Sequence, residues 1–244
     1  VQLAGGKGRG ARMTIALVAD LHGNMTAVQA LERDLVKRKA DAVWCLGDLV
    51  GKGPSSDRIF DWAVANCDLI LRGNWDEGVG MKLFPNDAFY YDQLGEARLE
   101  KLCGFPLEHH ARLSGRNIRL IHGRPIMKDL INPHQGSVPE LEALFQDDFR
   151  VVGYADTHRQ SLRTLSPGIL FNTGSVGNGM GQNMVQYVLM DGDEHDDEAP
   201  FDLRMITLPY DIEEAVRETE EQPKLPNGHL FIREIRSGVY ARKQ

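Results

Sequence analysis

Between positions 20 and 158 a series of short polar turns follows strand-length apolar runs, and their side chains are ones that hold divalent cations. They are Asp20 and His22, Asp48, Asn74, His122, and then Asp156 and His158. Carboxylates, neutral imidazoles and an amide oxygen form the donor set that hard-to-borderline divalent cations take. Two such ions about 3.5–4 Å apart can activate a water and stabilise the attacking and leaving oxygens of a phosphoryl transfer. Singly, each residue has a plainer reading, because an Asp or Asn after a strand is commonly a turn former or helix cap. The order and context of all five segments together point to one site.

The elements that must position these residues follow from apolar periodicity. Positions 14–19, 42–46 and 69–71 read as buried strands. Val28, Leu31, Leu35 and Val36 have the spacing of an amphipathic helix over 25–37, with Asn24 as its N-cap. A second helix is expected from Ser55 or Ser56 to about Asn66. Strand, polar turn and helix thus repeat, which argues for βαβ units on a parallel sheet, with ligands at the strand ends. After about residue 104 the pattern becomes β-rich, with strands expected at 118–121, 150–154, 161–165, 168–171, 184–190 and 203–208 and a helical stretch near 139–145. The acidic run at 191–198 reads as a solvated loop, 212–220 as a helix, and the tail from Pro223 as weakly patterned. The organisation expected is an extension at 1–12, one α/β domain over 13–210, and a helical appendage at 211–244 packed on that domain.

The chain has 244 residues, a net charge of −7, 42% hydrophobic and 26% charged residues. That length suffices for a large core, and the composition excludes collagen-like, coiled-coil and wholly disordered chains. No apolar run approaches the roughly 18–20 residues that span a bilayer, so no membrane partner is expected. The net negative charge argues against a nucleic-acid polymer, because that affinity comes mostly from Lys and Arg at phosphates. An anionic substrate would then need metal ions to attract it. Cys45, Cys67 and Cys103 are odd in number, and no secretory segment is evident. A reducing, cytoplasmic setting is expected. The glycine-rich GGKGRG near the start lacks the Ser or Thr that a phosphate-cradling loop carries after its Lys.

As a set, the turns resemble the calcineurin-like metallophosphoesterases. Successive motifs of that superfamily are D-x-H, G-D, G-N-H-[DE], a His usually followed by Gly, and G-H-x-H. The corresponding segments here are Asp20-Leu21-His22, Gly47-Asp48, Gly73-Asn74-Trp75-Asp76, His122-Gly123 and Ala155-Asp156-Thr157-His158. GDLVGKGP at 47–54 and FNTGSVGN at 171–178 are similar to the GDLVGYGP and NPGSVG segments of a small bacterial and archaeal phosphodiesterase-like branch. The resemblance implies a four-layer α-β-β-α sandwich of two mixed β-sheets flanked by helices. It also implies two divalent metal ions (manganese, iron or zinc, with magnesium as a further candidate). Asp20, His22, Asp48 and His158 would hold the first ion, and Asp48 would bridge to a second held by Asn74, His122 and Asp156. A hydroxide between the ions would attack phosphorus in line, with Asn74 helping to hold the phosphate. The expected partner is a small phosphorylated substrate, nucleotides included. Lys52 and Arg124, beside motif turns, are candidates to neutralise its charge. Asp76 is expected to support its neighbours or cap a helix.

Two residues depart from the family pattern. Trp75 stands where many relatives have the His thought to protonate the leaving group, and an indole N–H only donates hydrogen bonds. Losing a general acid costs about 10²–10⁴ in rate, so good leaving groups such as aryl esters or nucleotide phosphates should be preferred. Some relatives that cleave diadenosine tetraphosphate also carry G-N-W. A symmetrical diadenosine tetraphosphate hydrolase is therefore an alternative, with Trp75 stacked on a base or simply walling the pocket. Asp156 replaces the first His of G-H-x-H. Anchoring the register on 157–160 keeps His158 as a ligand, whereas aligning Gly153 with the motif Gly would strand it. Trp75 and Asp156 together admit a third reading, a binding or regulatory protein on a degraded phosphoesterase scaffold. His109, His110, His134, His195 and His229 match no motif and are expected to be structural or exposed.

Overall fold

A computed structural model describes residues 12–132, 134–146 and 148–242. Apart from Arg12, the expected extension at 1–12 lies outside the described residues. The first half runs β1 (Met13–Val18), α1 (Met25–Arg38), β2 (Ala42–Cys45), α2 (Ser56–Asn66), β3 (Leu69–Ile70), α3 (Asn74–Gly80) and α4 (Ala88–Gly104). The second runs β4 (Glu108–Leu113), β5 (Arg116–Ile121), α5 (Val138–Glu142), β6 (Val151–Tyr154), β7 (Gln160–Thr164), β8 (Ile169–Thr173), β9 (Val185–Gly192), β10 (Asp202–Leu208), α6 (Ile212–Glu220) and α7 (Gly228–Ser237).

The strands form two five-stranded mixed sheets, ordered β10-β9-β1-β2-β3 and β4-β5-β6-β8-β7. In the first, β1, β2 and β3 are parallel and β9 and β10 add antiparallel. In the second, parallel β5, β6 and β8 are edged by antiparallel β4 and β7. Alternation along β1 explains the layers, since successive side chains point to opposite faces. Ile15 and Leu17 meet Ile118, Leu120, Val151 and Phe171 of the other sheet. Ala16 and Val18 face outward onto Val28, Leu31 and Leu35 of α1 and onto α2. The outer face of the second sheet is covered by Leu141, Leu144 and Phe145. This is the α-β-β-α sandwich expected from the sequence.

Three parts of the sequence reading need correction. Asp191 and Gly192 belong to β9, not to an acidic loop. Asp191 is buried, accepts from Thr14 Oγ1 at 2.6 Å, and pairs with Arg204. The tail is not weakly patterned: α7 is amphipathic and buries Phe231, Glu234 and Ile235, with the Glu234 carboxylate inside its buried face. Helices α3 and α4 and strand β4 had no readable signal. In α4, Gly95 at φ +69° interrupts the repeat, and β4 alternates around charged residues at a sheet edge. No described helix is long and apolar enough to cross a membrane.

Candidate metal centre

The parallel strands deliver their polar turns to one place. Backbone hydrogen bonds zip the turn after β1 to the turn after β2: Asp20 N–H donates to Gly47 O (2.9 Å), His22 N–H to Asp48 O (3.1 Å) and Gly23 N–H to Leu49 O (3.1 Å). Gly177 N–H donates to Asp20 O, which docks the turn that follows β8. Asp20, His22, Asp48, Lys52, Asp156 and His158 all have φ between 44° and 65°. Such left-handed backbone is unfavourable for residues with a Cβ, and its concentration at functional sites is a known use of strain. Asp76 holds the second turn in shape, its carboxylate accepting the N–H groups of Asp48 (2.7 Å), Leu49 (2.9 Å) and Gly73 (3.0 Å). Gly73 is required here, because a Cβ would lie 2.1 Å from Asp48 Oδ1.

Five side chains converge on the resulting cleft. Asp20, His22 and His158 form one candidate metal-binding group, and Asp20, Asp48 and His122 form another. Asp20 Oδ1 lies 3.6 Å from His22 Nε2, 3.8 Å from His122 Nε2 and 3.4 Å from His158 Nε2. Asp48 Oδ2 stands 3.4 Å from His122 Nε2 and 3.6 Å from His22 Nε2. All five are buried. Separations of this size suit donors sharing an ion at bond lengths of about 2.0–2.2 Å.

The imidazole tautomers point the same way. Nδ1 of His22 contacts Val50 O (3.2 Å), Nδ1 of His122 contacts Leu46 O (2.8 Å) and Nδ1 of His158 contacts Asn178 O (2.8 Å). Assigned from these contacts, each Nδ1–H is a donor and each Nε2 is aimed into the cleft, the arrangement of a metal-ligating His. His22 Nε2 and His158 Nε2 then face each other at 3.1 Å, two acceptors with no proton between them. Burial, reinforced by Lys52, holds both rings well below the usual imidazole range, and so neutral. Burial and the neighbouring Asp48 push Asp20 well above the usual carboxylate range. Burial opposes protonation of His122, yet in the metal-free protein the Asp48 and Asp20 carboxylates outweigh it and raise the ring to about 10, so a cation bound at Nε2 would displace a proton there. Asp20 Oδ1, Asn74 Oδ1 and His122 Nε2 are buried without a hydrogen-bond partner among the described residues. Orphaned acceptors in such a pocket are costly unless a cation satisfies them, so the residues present fit a metal centre.

The remaining sequence candidates are placed differently. Asn74 opens α3, directly after Gly73 of the turn that Asp76 holds. Asp156 lies outside both candidate groups: Arg124 Nε donates to its Oδ2 (2.8 Å) and Arg124 Nη2 to its Oδ1 (2.6 Å), so both oxygens are engaged. Arg124, a candidate for substrate charge, is correspondingly committed to Asp156. Lys52 is buried, and its Nζ lies 3.4 Å from His158 Nε2. Trp75 meets His22 edge-on, with centroids 5.7 Å apart, and its ring is flanked by the Lys52 ammonium (6.0 Å) and the Arg242 guanidinium (5.6 Å). His109, outside the motifs, packs on Trp44.

Sequence reasoning missed Asn178 and Glu234. Asn178 orients His158 and donates its amide to Glu234 Oε2 at 3.1 Å. The FNTGSVGN segment contains Asn178, but Glu234 lies in α7 with no motif around it.

Comparisons with known proteins agree with this geometry. A Methanocaldococcus jannaschii protein described as uncharacterized is 25% identical over 227 residues, covering 82% of this chain and 89% of that protein. The crystal structure of a metallophosphoesterase from Sphaerobacter thermophilus is similar in fold, with a TM-score of 0.70 at 20% identity over 93% of this chain and 99% of that one. A hypothetical protein of Pyrococcus horikoshii OT3 gives a TM-score of 0.73 at 19% identity, covering 94% and 100%. Residues 13–195 match the model of the calcineurin-like phosphoesterase superfamily domain, and the chain belongs to that family.

Proposed function

We propose that this protein is a metal-dependent phosphohydrolase that cleaves small phosphoesters or phosphoanhydrides with the help of two divalent cations. The observation that carries this reading is the convergence of Asp20, His22, Asp48, His122 and His158, with the Nε2 atoms of three imidazoles aimed into one buried cleft. Asp20, His22 and His158 are suited to one ion, His122 and the orphaned Asn74 Oδ1 to the other, with Asp48 facing both histidines. Ions held there would supply Lewis acidity and lower the pKa of a water near phosphorus. The mixed carboxylate and imidazole set suits manganese, iron or zinc.

The chain's own groups supply the rest. Asn74 would donate its amide to a phosphoryl oxygen. Lys52 brings a buried cation beside His158 to offset the charge of the phosphate. Trp75 brings no transferable proton, which favours substrates whose leaving group is already a weak base. The three free cysteines support a reducing, cytoplasmic setting.

The test is metal analysis coupled to a panel of mono-, di- and dinucleoside polyphosphate substrates. The reading expects about two bound divalent ions per chain and turnover of an aryl phosphate with added manganese. A protein that binds no divalent ion and turns over nothing on the panel would overturn it.

A further inference from the structure

Beyond α7 the chain returns to the metal centre. Gly238, at φ +64°, ends the helix, and Gly181 N–H donates to its carbonyl at 2.8 Å. The amide of Ala241 donates to Glu234 Oε1 at 3.1 Å, so the carboxylate that braces Asn178 also anchors this tail. The Tyr240 ring lies 5.9 Å from Lys52 Nζ, and the Arg242 guanidinium 5.6 Å from the centre of Trp75. These residues lie past the 13–195 span that matches the family model.

Arg242 is incompletely satisfied where it sits. Its side chain is 14% exposed, and Nε and Nη2 are buried with no hydrogen-bond partner among the described residues. Glu234 Oε1 is 3.7 Å from Nε, beyond hydrogen-bonding range, and the Glu234 oxygens already accept from Asn178 and Ala241. Asp87 is also close enough to interact electrostatically with Arg242. Tyr90 packs edge-on against Trp75 beside it. Buried guanidinium N–H groups without acceptors are costly. The planar fork of Arg matches a phosphate in geometry and charge.

We propose that Arg242, acting with Lys52 across Trp75, receives a terminal phosphate dianion and so selects phosphomonoesters or polyphosphate ends over phosphodiesters. This rests on the phosphohydrolase reading and deepens it. Two cations against the same indole reward a second negative charge that a diester lacks.

The experiment compares the metal-loaded wild type with Arg242→Ala and Arg242→Lys. Binding of inorganic phosphate is followed by calorimetry, and kcat/KM is measured for an aryl phosphomonoester and the matching bis-aryl diester. Loss of a charge-assisted, two-pronged contact should weaken phosphate binding and lower the monoester-to-diester ratio by about 10-fold or more. Metal stoichiometry should stay the same, and Arg242→Lys should recover part of both losses. If the wild type binds phosphate and Arg242→Ala binds it equally well with an unchanged ratio, the assignment of Arg242 is wrong while the phosphohydrolase reading stands. If the wild type neither binds phosphate nor cleaves either ester, the underlying reading fails and this one with it.

Discussion

Asp48 and Trp75 are joined through the backbone: Asp48 Oδ1 accepts the Trp75 N–H at 2.8 Å, and the other oxygen faces His22 and His122. One carboxylate thus fixes the first turn of α3 and presents a donor to the cleft. Asp48→Asn keeps the size and an oxygen for the Trp75 amide but removes the charge. The variant should fold, with circular dichroism like that of the wild type. Its metal affinity should fall by more than the roughly 10–100-fold expected for an outer partner, and the rise in melting temperature on adding manganese should shrink accordingly. A metal-induced shift as large as in the wild type would contradict the placement of Asp48.

Asp156 offers the opposite contrast. With both oxygens on Arg124, Asp156→Asn should change metal affinity by less than about 10-fold, whereas Asp20→Asn should cost well over 100-fold. Titrations with manganese read by calorimetry distinguish the two. Equal losses in both variants would make Asp156 a direct ligand.

Burial pushes Lys52 down to about 8 in the metal-free protein. An unfolded lysine titrates near 10.4, so between about pH 8 and 10 the unfolded chain binds more protons than the folded one. Stability contributed at this position therefore rises with pH through that window, by on the order of 2 kcal/mol. Urea melts of metal-free protein from pH 7 to 10 should show this rise, and Lys52→Met should flatten it and be the more stable form at pH 7. A wild type and a Lys52→Met variant with parallel pH profiles would remove Lys52 from the account.

Gly51 makes room for the indole. Its φ is +84°, and a Cβ there would lie 2.1 Å from Trp75 Cε3. Gly51→Ala should cost about 2 kcal/mol or more through left-handed strain and overpacking. It should also displace Trp75, read as a shift in tryptophan emission. Gly104→Ala, where no atom lies within 4 Å of the added Cβ, is the control and should be near neutral.

The absence of a proton donor at Trp75 should appear as a steep dependence of rate on leaving-group basicity. Aryl phosphates should exceed alkyl phosphates by about 10²-fold or more in kcat/KM. Restoring a titratable ring with Trp75→His should narrow that gap. Comparable rates on both classes by the wild type would mean that another group supplies the proton.

Much of the site was legible because its residues sit next to signals of local physics. Asp20, Asp48 and His122 each follow an apolar run whose strand character is plain, and a parallel sheet aligns the ends of such strands. The alternation of Ile15 and Leu17 against Ala16 and Val18 likewise sorts inner from outer faces. The role of Glu234 was not legible, because its partner Asn178 lies 56 positions away and meets it only once α7 packs against the turn after β8. The acidic run beginning at Asp191 misled for a related reason: a strand residue paired with Arg204 looks, in sequence, like the loop that follows it.

By itself the sequence determined the types and order of the metal donors, the strands that carry them, and through those motifs the family. These are consequences of neighbours along the chain. Only the tertiary structure decided which charges are free to act. Asp156 is neutralised by Arg124, 32 positions away, and Lys52 is buried beside His158, 106 positions away. Arg242 reaches Trp75 from the far end of the chain. Charge pairing and desolvation depend on distance in space, and for these residues that distance is set by how two sheets and a returning tail pack.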